Sequence, residues 1–87
     1  MENTENNEIL PVSPSIKVVD FRTTSKGAGW WSAVVLQESY GRRQISLYLW
    51  QRKKGQWKRK QKFTIQTAKK WEKVDSAMKE LIPGLLK

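Results

Sequence analysis

Residues 43–65 read RQISLYLWQRKKGQWKRKQKFTI, and they contain two alternating runs of side chains joined by a short connection that ends in glycine. The first run is apolar and aromatic, and the second alternates lysines with other residues as far as Phe63 and Ile65. A period of two indicates strands, and the glycine connection indicates a hairpin. This stretch therefore predicts antiparallel strands at residues 43–52 and 57–65.

Outward from this hairpin, residues 16–24 and 30–38 predict two earlier strands because both stretches are rich in β-branched and aromatic side chains. Thr67 is a candidate N-cap, and apolar residues then recur at helical spacing until Pro83 and Gly84. This stripe comprises Trp71, Val74, Met78, Leu81 and Ile82. The order predicts an α+β domain, in which a four-stranded curved antiparallel sheet is followed by one C-terminal helix whose stripe packs on the aliphatic face of the sheet.

The two hairpin loops decide which side chains share a face. Both loops place glycine third, as Ser39-Tyr40-Gly41 and Lys53-Lys54-Gly55, which favours three-residue loops with a bulge. One face then carries Trp31, Ala33, Val35, Ile45, Leu47, Leu49 and Phe63. The other face carries Trp30, Ser32, Ser46, Tyr48, Trp50, Lys58, Lys60 and Lys62, and it opposes Trp30 directly to Trp50. A two-residue turn at Lys54-Gly55 is disfavoured because it sets lysines against Leu47 and Leu49.

We expect a core that contains Trp31, Phe63 and Trp71, in a domain that spans residues 16–87. Residues 1–15 are rich in Asn, Glu, Pro and Ser, carry three glutamates and no lysine or arginine, and read as an acidic disordered tail. The other residues hold 17 basic against five acidic side chains, a charge of +12 within a total of +9. The tail is expected to be dispensable for binding, and mildly inhibitory because its glutamates compete with phosphate.

The composition narrows the possible functions. The chain has no Cys and no His, so disulfides, the usual zinc ligand sets, a thiol nucleophile and an imidazole base are all excluded. With so few carboxylates outside the tail, we expect no enzyme, no metal and no cofactor. No apolar run approaches the roughly 18 residues of a spanning helix, so we expect no membrane partner. The dense positive charge favours nucleic acid, and thus an intracellular location in the nucleoid or nucleus.

Residues 42–62 contain nine basic side chains and no acid, with aromatic residues interleaved. Cations neutralise phosphates, whereas exposed rings stack on unpaired bases at roughly 1–3 kcal/mol per base. A duplex hides its base faces, so the pattern favours single strands. The predicted nucleic-acid-binding residues are Trp50, Tyr48, Trp30, Arg52, Lys53, Lys54, Trp57, Lys58, Lys60, Lys62, Arg42 and Arg43. Two structural alternatives stay open: the lysines of the last strand can guard a sheet edge against pairing, and Trp30 and Trp50 can stack on each other.

The run LYLWQRKKGQWK at residues 47–58, with KFTI at 62–65 and Trp71, resembles the carboxy-terminal domain of the positive cofactor four family, which comprises single-stranded DNA-binding transcription coactivators. The resemblance covers residues 41–82, and Trp50 precedes Gly55 by five residues, as the family's base-stacking Trp precedes its hairpin glycine. It implies a homodimer formed through the helices, with channels for single strands. Trp50 would take the stacking role, and Lys58 and Lys62 would contact phosphates.

This sequence also departs from the family pattern. Leu47 and Leu49 stand where the family often has Arg and Tyr, and Lys53-Lys54 replaces an Asp-Pro-Glu hairpin tip. An acidic tail stands in place of the Ser-Lys-rich tail of eukaryotic members. Single-stranded DNA binding is therefore the first expectation, and coactivation is what the resemblance adds. The alternatives are a general single-strand protector of the ThermoDBP or Whirly type and a duplex-binding chromatin protein, and RNA binding is left open.

Overall fold

A computed structural model describes residues 9–86, in which four strands precede one helix. The strands are β1 (Lys17–Lys26), β2 (Trp30–Ser39), β3 (Arg42–Lys53) and β4 (Gln56–Ile65). The helix α1 (Ala68–Leu81) continues into a 3₁₀ turn at Ile82–Leu86. The strands form one antiparallel sheet in the order β1-β2-β3-β4. The predicted fold, a four-stranded curved antiparallel sheet followed by one C-terminal helix, is confirmed.

Both long hairpins turn through two residues, so the predicted three-residue loops are wrong. Ser39 pairs with Arg42, and Lys53 pairs with Gln56. The loop residues Tyr40-Gly41 and Lys54-Gly55 all have positive φ, between 52° and 77°. Two consecutive left-handed residues make a type I′ turn, whose twist matches that of the flanking strands.

The β2–β3 register differs from the predicted one by a single residue, which turns the side chains of β3 to the opposite face relative to β2. Trp31 pairs with Trp50, and Ala33 pairs with Tyr48. The predicted pairing of Trp30 with Trp50 is therefore wrong, as is the predicted division of side chains between the faces. We call the face that carries these paired rings the aromatic face. Its members are Trp31, Ala33, Val35, Ser46, Tyr48 and Trp50.

The opposite side of the sheet is the aliphatic face. Its apolar members include Val34, Leu36, Ile45, Leu47, Leu49, Phe63 and Ile65. On the β3–β4 side, Leu49 pairs with Gln61 while Trp50 pairs with Arg59, so Lys60 is an unpaired bulge residue. The bulge is the reason that a two-residue turn forms at Lys54-Gly55 without setting lysines against the leucines.

The main cluster of buried residues lies on the aromatic face. The Tyr48 and Trp50 rings are nearly parallel, with centroids 5.0 Å apart, and the Trp31 ring lies 5.0 Å from that of Trp50 at 53°. Such ring pairs contribute about 0.5–1.5 kcal/mol each beyond area burial. The Tyr48 hydroxyl donates a 3.0 Å hydrogen bond to Oε1 of the buried Gln37, which satisfies the polar end of the ring.

The core extends to a segment that precedes β1. Leu10 is buried beside Phe21 and the rings of the aromatic face, and Val12 packs against the same cluster. The Trp50 Nε1–H donates a 3.1 Å hydrogen bond to the Pro11 carbonyl oxygen. Part of the predicted tail therefore packs on the sheet, whereas residues 1–8, for which disorder is also predicted, lie outside the described residues.

The helix leaves the aliphatic face largely open. Thr67 is the N-cap, as predicted, and its Oγ1 accepts a 3.1 Å hydrogen bond from the Lys70 amide. No residue of α1 is buried, and Trp71 and Phe63 are both 45 % exposed, so their prediction as core residues is wrong, whereas that of Trp31 is confirmed. A groove of about 860 Å³ separates the helix from the sheet. Its lining includes Leu47, Leu49 and Phe63 from the sheet and Val74 and Met78 from the helix.

Candidate nucleic-acid interface

Cationic side chains surround the aromatic face. Lys26 Nζ lies 3.9 Å from the centroid of the Trp31 ring, and Lys62 Nζ lies 5.4 Å from that of Tyr48. A cation over an aromatic ring is attracted by about 0.5–1 kcal/mol at an exposed site. We call these two lysines, together with Arg52 and Arg59, the basic rim. The rim places positive charge directly beside a cluster of flat rings.

Trp57 connects this cluster to solvent. Its ring lies 5.6 Å from that of Trp31 in an edge-to-face arrangement, and the Arg52 guanidinium carbon lies 5.9 Å from its centroid. Trp57 is half-buried and pairs with Arg52 beside the β3–β4 turn. It is therefore the member of the aromatic cluster that offers a surface for stacking in this conformation.

β4 is an edge strand with charge on both of its faces. Every residue from Lys58 to Phe63 is exposed. Lys58 pairs with Gln51, which also pairs with Trp30, so these three residues form a row across the aliphatic side of the sheet. The cations that point to the other side belong to the basic rim. A polyanion that follows this strand meets positive charge on either side of it.

Most of the predicted basic site residues lie together, but two do not. Arg52, Lys53, Lys54 and Lys58 surround the β3–β4 turn, and Lys60 and Lys62 follow along β4. Arg42 and Arg43 stand at the opposite end of the 12-residue β3, roughly 30–35 Å from the β3–β4 turn at about 3.3 Å per residue. Arg43 Nε lies 3.5 Å from the Glu38 carboxylate. The structure therefore does not bring the two arginines into the same site.

The predicted aromatic residues separate into two groups. Trp50 is fully buried and Tyr48 is 3 % exposed, so the prediction that both rings face solvent is wrong. The cause is the one-residue difference in register, which turns them toward Trp31. Trp30 is 47 % exposed and Trp57 is half-buried, so these two can meet a ligand directly.

Sequence reasoning missed Lys26 and gave no role to Arg59. Lys26 is remote from the basic run in sequence, and it reaches the rings because β1 pairs it with Trp31. Arg59 pairs with Trp50, which places it on the aromatic face. The signal for Arg59 is the Lys54-Gly55 dipeptide, since a two-residue turn there sets this pairing. No comparable local signal identifies Lys26.

Comparison with protein-family models, with curated proteins and with solved structures found no match for this chain. The resemblance to the positive cofactor four family therefore stays a prediction. Within residues 9–86, no helix is long and apolar enough to span a membrane. The features of the described residues that bear on function are the basic rim, the exposed strand β4 and the accessible rings of Trp30 and Trp57.

Proposed function

We propose that this protein binds single-stranded nucleic acid, single-stranded DNA first, along β4 and the β3–β4 hairpin, and that it has no catalytic role. The observation that carries the proposal is the exposed basic run on β4, flanked on one side of the sheet by Trp57 and on the other by Trp30. Phosphates pair with the cations, and unpaired bases stack on the rings. Such a protein acts where single strands occur, in the nucleoid or the nucleus.

The accessible rings separate this proposal from a simple edge guard. Lysines alone on an edge strand discourage aggregation, and such a guard requires no aromatic neighbours. Here Trp57 lies under the Arg52 guanidinium, and Trp30 lies in the same row as Lys58. Rings beside cations are also of little use on a duplex, whose base faces are stacked inside. A duplex-binding chromatin protein is therefore the second candidate, supported by the charge alone.

The binding test is a fluorescence-anisotropy titration of labelled oligo-dT, a matched duplex and oligo-U at several salt concentrations. We expect oligo-dT to bind more tightly than the duplex. If five cations on β3 and β4 each meet one phosphate, the log–log salt slope is about −3.5 at roughly −0.7 per contact. Stronger binding to the duplex at equal salt would support the chromatin alternative instead.

Two variants resolve the contributions of charge and stacking. Lys58→Ala should reduce the magnitude of the salt slope by about 0.7, whereas Lys69→Ala, an exposed lysine on α1, should leave it unchanged. Trp57→Ala should weaken oligo-dT binding by roughly 1–3 kcal/mol with little change in slope. If Lys58→Ala and Lys69→Ala behave alike, β4 is not the binding strand.

Deletion of residues 1–8 should not weaken binding, since the tail is expected to be dispensable.

The proposal includes a homodimer. It is supported by the apolar surface that the helix and the aliphatic face leave exposed. Met78, Leu81 and Leu85 are exposed on the C-terminal helical segment, and the aliphatic face lies open beside them. A second copy presents the same two surfaces, so a two-fold arrangement can bury the helix of each chain against the sheet or helix of the other. We expect a dimer mass by light scattering at micromolar concentration.

The control for dimerisation is on the same helix. Met78→Glu should shift the mass toward the monomer, whereas Ser76→Glu, at an exposed polar position, should leave it unchanged. A monomer mass for the wild-type protein across this concentration range would remove the dimer from the proposal. It would leave the binding surface on β4 intact, because that surface lies within one chain.

Transcription coactivation and general strand protection both begin with this binding step. The resemblance to the positive cofactor four family favours coactivation. Phosphate contacts and base stacking require no particular base sequence, so the same surface fits a general single-strand protector of the ThermoDBP or Whirly type equally well. Stimulation of transcription in a reconstituted assay distinguishes the two, because a pure protector shields a single strand from nuclease without raising transcript yield.

A further inference from the structure

A short segment of the chain covers the aromatic face. Leu10 is 6 % exposed among the rings, and Val12 packs against the same cluster. The Pro11 carbonyl oxygen accepts the hydrogen bond of Trp50 Nε1–H at 3.1 Å. Trp50 and Tyr48, the two parallel rings, are thereby closed off from solvent.

This cover is a separable strap and not part of the sheet. Residues 9–13 belong to no strand, although Val12 N–H donates a 2.8 Å hydrogen bond to the Leu10 carbonyl within the strap itself. An open groove of about 520 Å³ lies beside it, lined by residues of the strap and of β1 that include Ile9, Val18 and Phe21. The strap can therefore lift without breaking the strand pairing that defines the fold.

The covered surface has the chemistry of a base-stacking site. The Tyr48 and Trp50 rings stack on each other with an interplanar angle of 7°, and Lys62 of the basic rim stands over the Tyr48 ring. The Trp50 Nε1–H is a fixed donor that now meets a backbone carbonyl, and the exocyclic carbonyl of a pyrimidine is an acceptor of the same kind. Leu10 packs in the cluster that contains both rings, so a base that stacks there has to displace it.

We propose that residues 10–12 act as an internal competitor that a single strand displaces from a second stacking site, formed by Trp50 and Tyr48 and bordered by the basic rim. This inference rests on the proposed function and assigns a regulatory step to the same surface. The apparent affinity is then lower than the intrinsic affinity by the fraction of molecules whose strap is open. Any change that weakens the strap without unfolding the sheet should tighten binding.

A matched pair of variants tests this step. Leu10→Asp places a charge at the buried position and detaches the strap, whereas Ile9→Asp adds the same charge at a neighbouring position that is 92 % exposed. We expect Leu10→Asp to bind oligo-dT at least about tenfold more tightly than Ile9→Asp, since an open strap removes the competition. The indole N–H of Trp50 should also exchange faster with deuterium in Leu10→Asp. Equal affinities in two folded variants, with faster indole exchange in Leu10→Asp, would overturn the proposal.

A second measurement uses the wild-type protein, so it does not depend on whether Leu10→Asp folds. The Leu10 methyl groups lie against aromatic rings, and their NMR shifts should move to random-coil values when oligo-dT saturates the protein. Saturation that leaves these shifts unchanged would overturn the strap mechanism while retaining binding on β4. No binding of oligo-dT by the wild-type protein or by Ile9→Asp would instead refute the proposed function itself.

Discussion

Replacement of Trp50 by alanine should lower the free energy of unfolding by about 3–5 kcal/mol, the range for a large buried aromatic residue. The side chain is fully buried, and its ring lies 5.0 Å from those of Tyr48 and Trp31. The variant loses both ring contacts, opens a cavity and leaves the Pro11 carbonyl without its donor. A domain of this size has roughly 4–12 kcal/mol in total, so the loss takes away a large share of its stability.

The assay for Trp50→Ala is urea denaturation followed by far-ultraviolet circular dichroism, since tryptophan fluorescence changes with the mutation itself. Trp30→Ala is the matched control, because its ring is 47 % exposed on the other face, and it should cost less than about 1 kcal/mol. Trp50→Phe should fall between the two, as it keeps a ring but not the Nε1–H donor. Equal losses for Trp50→Ala and Trp30→Ala would refute the register that places Trp50 in the core.

Three further changes test local features by the same denaturation assay, and each has its own control. Gly55→Ala should cost about 1–2 kcal/mol because Gly55 has a φ of +77°, whereas Gly29→Ala, with no atom within 4 Å of an added Cβ and no positive φ, should cost less than that. Thr67→Ala should cost about 1 kcal/mol and reduce helical dichroism, and a serine at the same position should restore both. Tyr48→Phe should cost about 1–3 kcal/mol by leaving Gln37 Oε1 buried without a donor, unlike Tyr40→Phe at an exposed turn position.

The elements of the fold follow from local sequence patterns. The predicted strand limits lie within two residues of the observed ones, because alternation, β-branched residues and the two glycine turns all act over a few positions. The helix begins after Thr67 as predicted, since an N-cap needs only one side chain and a nearby amide. The α-helix ends at Leu81, two residues before Pro83, and a 3₁₀ turn carries the chain onward.

The assignment of side chains to the two faces of the sheet could not be predicted from local patterns. It depends on a choice between two turn types whose loops differ in length by one residue. The dipeptides Tyr40-Gly41 and Lys54-Gly55 support two-residue type I′ turns in which a non-glycine residue also adopts positive φ. That conformation is strained for Tyr40 and Lys54, and the match to strand twist offsets the strain. A choice of this kind affects every side chain beyond the turn, so a small local error reassigns a whole face.

The location of the core also depends on long-range contacts. Leu10 stands in a segment with the composition of a tail, and no local periodicity indicates that it packs on rings that follow it by up to 40 positions. Phe63 and Trp71 have the apolar character of core residues, yet both are half-exposed because the helix leaves a groove over the aliphatic face. A surface that packs against a second copy of the chain would be exposed in a single chain. The exposure of Phe63 and Trp71 therefore agrees with the proposed dimer.

The bulge at Lys60 links the hairpin geometry to the charge of the candidate site. A two-residue turn alone would set Leu49 opposite Lys60 and Leu47 opposite Lys62, at the cost of placing lysines against the apolar face. One extra residue in β4 advances the strand, so that Leu47 meets Phe63 instead. The cost of burying lysines does constrain this hairpin, and a bulge meets that constraint as well as a longer loop does.

The same bulge gathers two cations around the rings. Arg59 and Lys62 are an odd number of positions apart, so in a regular strand their side chains would point to opposite faces. With Lys60 unpaired between them, Arg59 pairs with Trp50 and Lys62 pairs with Tyr48, and both lie on the aromatic face. The basic rim therefore depends on the bulge as well as on the number of lysines in β4. Charge density can be counted in the sequence, but the side of the sheet on which that charge acts is decided by one inserted residue.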